Sequence, residues 1–466
     1  MKSARLLLSS AIAATLALSS APAFAGTSSA LLKRLHEKGI LTDEEYNDLM
    51  REMQADASAP APSAMSQAQG ALDEKRLVKM TDSGVGLQIG DVALKFSGSV
   101  NGFYVHDNPD TPGANTAVVG GVASVGTKNS SAVRNGLLPG FLKVDVTTTQ
   151  GGWDVGAHFG MYPGINSTAW GALGANNGGQ PTALATAGID FRQTYLTFGK
   201  TKLGEFKIGR DIGLFGSEGI LNDITLLSSG TPGGNVAPAN TTLGRIGVGY
   251  IYTDFQPQIT YTSPKFGGAQ LSVGVFQPLS SLSGPAENNS NPGFQAKLTY
   301  DGKLGGVSTR FWLSGITQKH DGVAPGTSYT GSGFDAGAKV GVGPLTLTGY
   351  YYDGSGLGTT VLNLFDSDGA GGKRDSHGFY GQAMATFGKF SVGGSYGESR
   401  LDYANVADAL ANPALVDKNS SWVGQLRYGL NSWVTLIGEY VSSTAKAHNG
   451  NKAESDAIAA GAILFF

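Results

Sequence analysis

The sequence predicts an all-β fold, a 16-stranded antiparallel transmembrane β-barrel, with a short α-helical segment before it. Three observations predict this fold. Glycine accounts for 70 of 466 residues while charged residues are only 15%. Polar and apolar residues alternate with a period of two over most of the chain. The connections between these alternating segments are long and short in turn, as in barrels that cross the outer membrane of bacteria.

The first 25 residues are predicted to be a secretory signal peptide. Lys2 and Arg5 give a positive start, residues 6–18 are an apolar run, and Ala-Phe-Ala at 23–25 fits a cleavage site. The apolar run is too short for a spanning helix. We therefore expect an exported mature chain that begins at Gly26.

Composition and charge exclude several classes of function. The chain has no cysteine, which excludes a disulfide framework and thiolate redox or metal chemistry. Residues 26–91 carry a net charge of −4 and residues 92–466 only −1. No basic stripe exists to neutralise phosphates, so nucleic acid is not a predicted partner. No cofactor or metal site is predicted, and no serine–histidine pair suggests an enzyme.

Residues 26–54 are predicted to form a short periplasmic helical segment. Apolar residues recur at three- and four-residue spacings between 31 and 53, and Thr-Asp-Glu-Glu at 42–45 is a capping box. Two interpretations stay open. The segment is either a helical hairpin that contacts peptidoglycan or a periplasmic partner, or a coiled coil that helps the barrel to trimerise. Residues 55–91, which begin with an Ala-, Pro- and Ser-rich stretch, are predicted to be a linker.

Strict alternation places the barrel at residues 92–466. In residues 153–161 (WDVGAHFGM), Trp, Val, Ala, Phe and Met share one face. The sixteen predicted strands are 92–105, 138–149, 152–162, 189–199, 203–210, 246–263, 269–277, 293–302, 306–317, 333–342, 344–353, 376–387, 389–398, 420–429, 432–442 and 454–466. An even count puts both chain ends on the periplasmic side, and the predicted location is the bacterial outer membrane.

Three stretches carry a resemblance to a known family. Residues 192–199 (RQTYLTFG), 203–210 (LGEFKIGR) and 261–268 (YTSPKFGG) resemble two strands and a turn of the trimeric general porins of Gram-negative bacteria. The resemblance implies a homotrimer in outer-membrane lipid that passes small hydrophilic solutes by passive diffusion. It also implies that the longest connection, 211–245, folds inward and narrows the pore. Residues 39–46 (GILTDEEY) are instead similar to the periplasmic leader of some substrate-selective porins.

Selectivity is expected to depend on charges that face each other across this constriction. The acidic candidates on the inward loop are Asp211, Glu218 and Asp223. The basic candidates, which alternation points into the lumen, are Lys95, Lys143, Arg192, Lys207, Arg310 and Arg427. These charges either create a transverse field or merely belong to a solvated lumen wall. The loop lacks the tight acidic cluster of the family, so the ion preference stays open.

Three functions are compatible with these patterns. The first is a general diffusion porin, and the second is a substrate-selective porin with a solute-binding site at the constriction. The third is a structural or adhesive barrel with a plugged lumen. Conductance and saturable block by a solute would distinguish them.

Overall fold

The structure, a computed structural model, describes residues 33, 36–37, 42–43, 45–48, 51, 78–80, 84–166, 189–231 and 240–466. The chain divides into two units, residues 1–76 and residues 77–466. The predicted signal peptide at 1–25 and most of the predicted linker lie outside the described residues.

The described residues of the first unit are helical on both sides of Thr42. The predicted capping box is formed: the Thr42 amide donates to Glu45 Oε2 (2.9 Å), and the Glu45 amide donates to Thr42 Oγ1 (3.3 Å). The hydrogen bond from the Thr42 backbone lowers the pKa of Glu45. His36 stacks on Tyr46 with 4.6 Å between ring centroids and bonds Asp43 (Nε2–Oδ1 2.6 Å). These contacts join helical residues before Thr42 to those after it.

The second unit contains nineteen strands and three short helices among the described residues. The strands are β1 (Val78–Met80), β2 (Val85–Ile89), β3 (Val92–Pro109), β4 (Ser130–Arg134), β5 (Phe141–Gln150), β6 (Trp153–Pro163), β7 (Ile189–Lys200), β8 (Gly204–Ile212), β9 (Phe255–Thr262), β10 (Ala269–Phe276), β11 (Gly293–Leu304), β12 (Val307–His320), β13 (Tyr329–Val342), β14 (Leu345–Ser355), β15 (Asp375–Phe387), β16 (Phe390–Leu401), β17 (Val416–Gly429), β18 (Val434–Ala447) and β19 (Lys452–Phe465). The helices are α1 (Ser217–Leu221), a 3-10 helix (Ile224–Leu227) and α2 (Val406–Ala411). None of the helices in the described residues is long and apolar enough to cross a membrane.

Sixteen of these strands, β3 and β5–β19, form a closed antiparallel barrel. Each strand pairs with the next one along the chain, and β19 pairs with β3, with Phe465 opposite Ser99 and Ser455 opposite Pro109. The predicted 16-stranded barrel is therefore confirmed. The three short strands β1, β2 and β4 extend the sheet around β3.

The alternation seen in the sequence separates the two faces of the wall. On β12, Trp312 and Ser314 are 4% and 3% exposed, whereas their neighbours Phe311 and Leu313 are 42% and 50% exposed. Apolar side chains thus cover the outer face, and polar and aromatic side chains fill the inner one. Tight turns such as those at Gly343 and Gly388, both with positive φ, connect the strands at the periplasmic end.

Most strand ends differ by a few residues from the sequence prediction, and two of the differences have a clear local reason. Strand β2 lies inside the stretch assigned to the linker, because a two-residue turn at 90–91 pairs Ile89 with Val92. Strand β9 begins at Phe255 rather than at 246. The preceding residues include Gly247 and Gly249, whose φ angles of 82° and 105° do not fit a regular strand.

A charge on the outer face tests the barrel assignment. Leu313 lies midway along β12, so Leu313→Arg should lower the free energy of unfolding by about 2–4 kcal/mol in a lipid bilayer. Equilibrium unfolding in urea measures this loss. The control is Thr435→Arg on the lumen side, where a recess of about 620 Å³ accepts the side chain, and it should cost no more than about 0.5 kcal/mol. Equal costs at the two positions would contradict the assignment of faces.

Candidate functional site

The connection between β8 and β9 is residues 213–254, and we call it the constriction loop. Its described residues, 213–231 and 240–254, fold back into the barrel. Its first residues are attached to the lumen side of the wall. The amides of Leu214 and Phe215 donate to Gln295 Oε1 on β11 (2.8 and 3.0 Å). The amide of Gly216 donates to Asp335 Oδ2 on β13 (2.7 Å). Polar side chains of the wall thus satisfy loop amides that are out of contact with water.

Apolar side chains attach the loop as well. Phe215, Ile220 and Tyr250 are 0%, 7% and 0% exposed. They belong to one buried cluster with Tyr350 and Tyr380 of β14 and β15. This cluster lies inside the barrel, so burial of apolar area holds the loop against the wall.

Glu218, the first acidic candidate, lies on α1 and is bound by two cations. Arg310 forms a two-pronged pair with it (Nη2–Oε1 2.8 Å, Nε–Oε2 3.0 Å), and Lys297 Nζ lies 3.3 Å from Oε1. Arg310 also bonds Asp301 (2.7 Å). Burial alone raises the pKa of Glu218, but the bonds to Arg310 and the charge of Lys297 outweigh it and leave this pKa below its ordinary value.

Asp223, the second acidic candidate, has a local structural role. It precedes the 3-10 helix and accepts hydrogen bonds from the Thr225 amide (3.1 Å) and hydroxyl (2.7 Å). Tyr250 donates a further bond to Asp223 Oδ2 (2.9 Å). The carboxylate is 5% exposed, so these neutral donors replace water around it.

Asp211, the third acidic candidate, lies on strand β8 and precedes the constriction loop. It is 4% exposed, accepts a bond from Gln193 Nε2 (2.6 Å) and forms an ion pair with Lys207. Two candidates of opposite sign, Asp211 and Lys207, therefore neutralise each other within the wall.

Arg192 is held in the wall by a break in the register between β6 and β7. Gly160 pairs with Gln193 but Tyr162 pairs with Asp190, so the alternation is interrupted at Arg192. Its guanidinium bonds Asp190 (2.7 Å) and lies 4.9 Å from the centre of the Tyr162 ring. It is 8% exposed.

The remaining basic candidates have no carboxylate partner among the described residues. Lys95 shares a face of β3 with Ser99 and Asn101, and Lys143 lies over Phe141 (5.5 Å to the ring centre). Arg427 donates through Nη2 to the carbonyl of Ile224 in the constriction loop (2.6 Å).

Several lumen residues were not among the sequence candidates. They include Lys297, Asp335, Lys339 and Glu439. Lys339 Nζ lies 3.5 Å from Asn222 Oδ1. Glu439 accepts bonds from Ser228 Oγ (2.7 Å) and the Gly230 amide (2.5 Å). All four follow the period-two pattern, which was the signal for finding them. Among the described residues, no group of three or more histidine, aspartate or glutamate side chains could hold a metal ion.

A family model of Gram-negative porins matches residues 56–461. The chain belongs to the Gram-negative porin family. It is therefore a channel of the outer membrane for passive diffusion, and it is not an enzyme. No curated protein sequence matches the porin.

Solved structures of porins share its fold. The outer-membrane channel DcaP of Acinetobacter baumannii is similar with a TM-score of 0.61 at 16% identity, over 83% of this chain and 99% of that one. The anion-selective porin from Comamonas acidovorans has a TM-score of 0.52 at 14% identity, over 80% and 100%. OmpF of Salmonella typhi in complex with daunomycin has a TM-score of 0.51 at 11% identity, over 81% and 98%. At these identities the likeness concerns the fold.

The ion pairs of Glu218 predict how the porin responds to acid. Because the pKa of Glu218 is lowered in the folded state, its contribution to stability is present above the ordinary carboxyl pKa and is lost as the pH falls through the lowered value. Unfolding midpoints in urea, measured from pH 7 to pH 2, should show this acid-dependent loss in the natural porin.

Glu218→Gln should remove the part of the acid-dependent loss of stability that comes from Glu218. It should also lower the unfolding midpoint at pH 7, since Arg310 and Lys297 lose their shared charged partner. Glu454→Gln, which breaks an exposed pair with Lys452, is the control and should leave the midpoint at pH 7 nearly unchanged. An unchanged acid profile in Glu218→Gln would show that this carboxylate does not anchor the loop.

Proposed function

We propose that the porin is a general diffusion channel whose constriction favours anions. One observation carries this proposal: the candidate carboxylates of the constriction are neutralised or enclosed, whereas Lys339 and Arg427 beside it form no ion pair in the part of the chain that the structure describes. We assign the selectivity of the porin to this imbalance of charge.

The carboxylates are neutralised in different ways. Glu218 and Asp301 share three cations, Arg310, Lys297 and Lys265, the last of which lies 3.0 Å from Asp301. This cluster has a net charge of +1. Asp211 and Lys207 cancel each other. The oxygens of Asp223 accept bonds from Thr225 and Tyr250 rather than from a passing solute.

The two cations Lys339 and Arg427 are next to the loop, and Arg427 also lies near the charges of Glu439 and Asp223. Lys339 reaches Asn222 and Arg427 reaches Ile224, so both line the same edge of the constriction loop. Lys143 and Lys95 lie on the lumen face of β5 and β3, where Asp145, which is opposite Lys95 in the register, offsets part of their positive charge. A narrow passage with low-dielectric walls focuses such a potential, so it attracts anions and repels cations even though the barrel as a whole is nearly neutral.

We also propose the assembly and the division of the chain. The porin forms a homotrimer in outer-membrane lipid, which is supported by the typical state of its family. Residues 1–25 are a signal peptide, residues 26–54 a periplasmic helical segment, and residues 92–466 the barrel. The capping box at Thr42 supports a stable helical segment in the periplasm, where it is available for contact with peptidoglycan or a periplasmic protein.

Reversal potentials in planar bilayers test the ion preference. With a salt gradient across the membrane, the potential of the natural porin should have the sign of anion flow. Lys339→Glu should move it towards cation flow, because the substitution replaces a free positive charge beside the loop with a negative one. The shift should be largest at low ionic strength, where screening is weakest.

The matched control is Lys202→Glu, the same change of charge in an exposed periplasmic turn, which should shift the potential much less. Equal shifts in the two variants, or a natural porin that prefers cations, would refute the proposal. Saturable block by one solute would instead favour a substrate-selective porin with a binding site at the constriction.

A further inference from the structure

The connection between β14 and β15, residues 356–374, also folds into the barrel; we call it the second lumen loop. Its residues Leu357, Leu362 and Asn363 are 2%, 5% and 4% exposed. The two leucines belong to the buried cluster that contains Phe215 and Tyr250 of the constriction loop. The two loops therefore share one apolar core inside the lumen.

Backbone hydrogen bonds join the two loops directly. Tyr252 of the constriction loop and Val361 form a parallel β-bridge. The Tyr252 amide donates to the Thr360 carbonyl (2.8 Å), and the Leu362 amide donates to the Tyr252 carbonyl (3.2 Å). Such bonds fix the relative position of the two chains more tightly than side-chain contacts alone.

The second lumen loop has an unusual backbone. Among the described residues, four that are not glycine have a positive φ, and three of them are Thr360, Asn363 and Phe365, at 65°, 64° and 62°. This conformation is costly for a branched threonine and for a bulky phenylalanine. Strain of this kind persists only where the surroundings impose it. The inward position is therefore determined by packing and is not one of many positions of a surface loop.

Contacts with other parts of the extracellular end hold the outer part of the second lumen loop. Arg374 forms a buried two-pronged pair with Asp408 on α2 (2.6 and 2.7 Å), with 5% and 0% of the two side chains exposed. Asp366 accepts bonds from Ser281 (2.7 Å) and Tyr329 (2.6 Å). The segment is thus attached at its inner and outer ends.

The two loops together cover the lumen wall at this place. Tyr352 bonds Thr359 of the second lumen loop, whereas the constriction loop binds Tyr380 through the Gly219 carbonyl and Ser399 through the Gly249 amide (both 2.8 Å). On β14, β15 and β16 the lumen-facing residues Tyr352, Tyr380 and Ser399 are at most 1% exposed. We infer that the second lumen loop and the constriction loop together set the size limit of the pore on the extracellular side, and that the second loop stays in place while solutes pass. This inference goes beyond the proposed ion preference, because it concerns the diameter of the pore and not its charge.

Shortening the loop tests the size limit. Replacing residues 357–373 with a short Gly-Ser link should raise the single-channel conductance about twofold or more, because conductance follows the open cross-section. It should also admit larger polyethylene glycols in a swelling assay with reconstituted vesicles. Unchanged conductance and an unchanged exclusion limit would overturn the inference. The point variant Asp408→Asn, which releases Arg374, should also raise the conductance and the exclusion limit. The control Glu454→Gln should change neither.

A reversible crosslink tests whether the loop stays in place. The natural porin has no cysteine, so Tyr252→Cys combined with Val361→Cys creates a single disulfide between the bridged residues. The disulfide should form readily. The conductance and the exclusion limit should be the same in the crosslinked variant as in the same variant after reduction. Failure to form it, or a drop in conductance that a reductant reverses, would overturn the inference. The reversal potential reports ion preference separately, so either proposal can fail without the other.

Discussion

Because the first and last strands of the barrel, β3 and β19, are hydrogen-bonded to each other, the sheet has no free edge. In hydrocarbon no water is present to satisfy a backbone amide or carbonyl, so a spanning sheet must close. Closure also fixes the register, with Phe465 opposite Ser99. A shift by one residue would turn the apolar face inward and the charged face towards lipid. The positions of the lumen charges therefore follow from this seam between the two ends of the barrel.

The closed wall also explains why the constriction loop is so polar at its contacts. A loop inside the lumen leaves bulk water, and its amides need new partners. The wall supplies them through Gln295 and Asp335, and Glu439 binds the loop near Gly230. The same reasoning applies to Glu218, whose desolvation is offset only because Arg310 and Lys297 are close. Glu218 and Asp223, which look like selectivity residues in the sequence, bind groups that hold the loop, and we propose that cations without an ion pair among the described residues face the solutes.

The fold could be predicted from the sequence because its two signals are local. The alternation of polar and apolar residues shows which side chains face the lumen and which face lipid, and the loop lengths show which end of the barrel is periplasmic. Neither signal requires knowledge of a long-range contact. The partners of the charges could not be predicted, since Glu218 and Arg310 are far apart in the chain and meet only when the loop folds inward. Arg192 shows a second limit, because a break in register interrupts the alternation by which it was assigned to the lumen. Lys339 could have been found, as it lies on the polar face of an unbroken strand.

We propose that charge and width are controlled by adjoining parts of this lumen. The unpaired cations lie on the barrel wall and beside one edge of the constriction loop, where Lys339 and Arg427 contact Asn222 and Ile224. The apolar core shared by the two loops lies next to them, against Tyr350 and Tyr380, and Gln382 on the same strand as Tyr380 binds both Asn222 and Ile224. Because Asp223 lies between these two loop residues and accepts a bond from Tyr250 of the core, a substitution in one region should affect the other. In a pore built in this way, a change of the loop core should alter both the size limit and the charge preference for solutes.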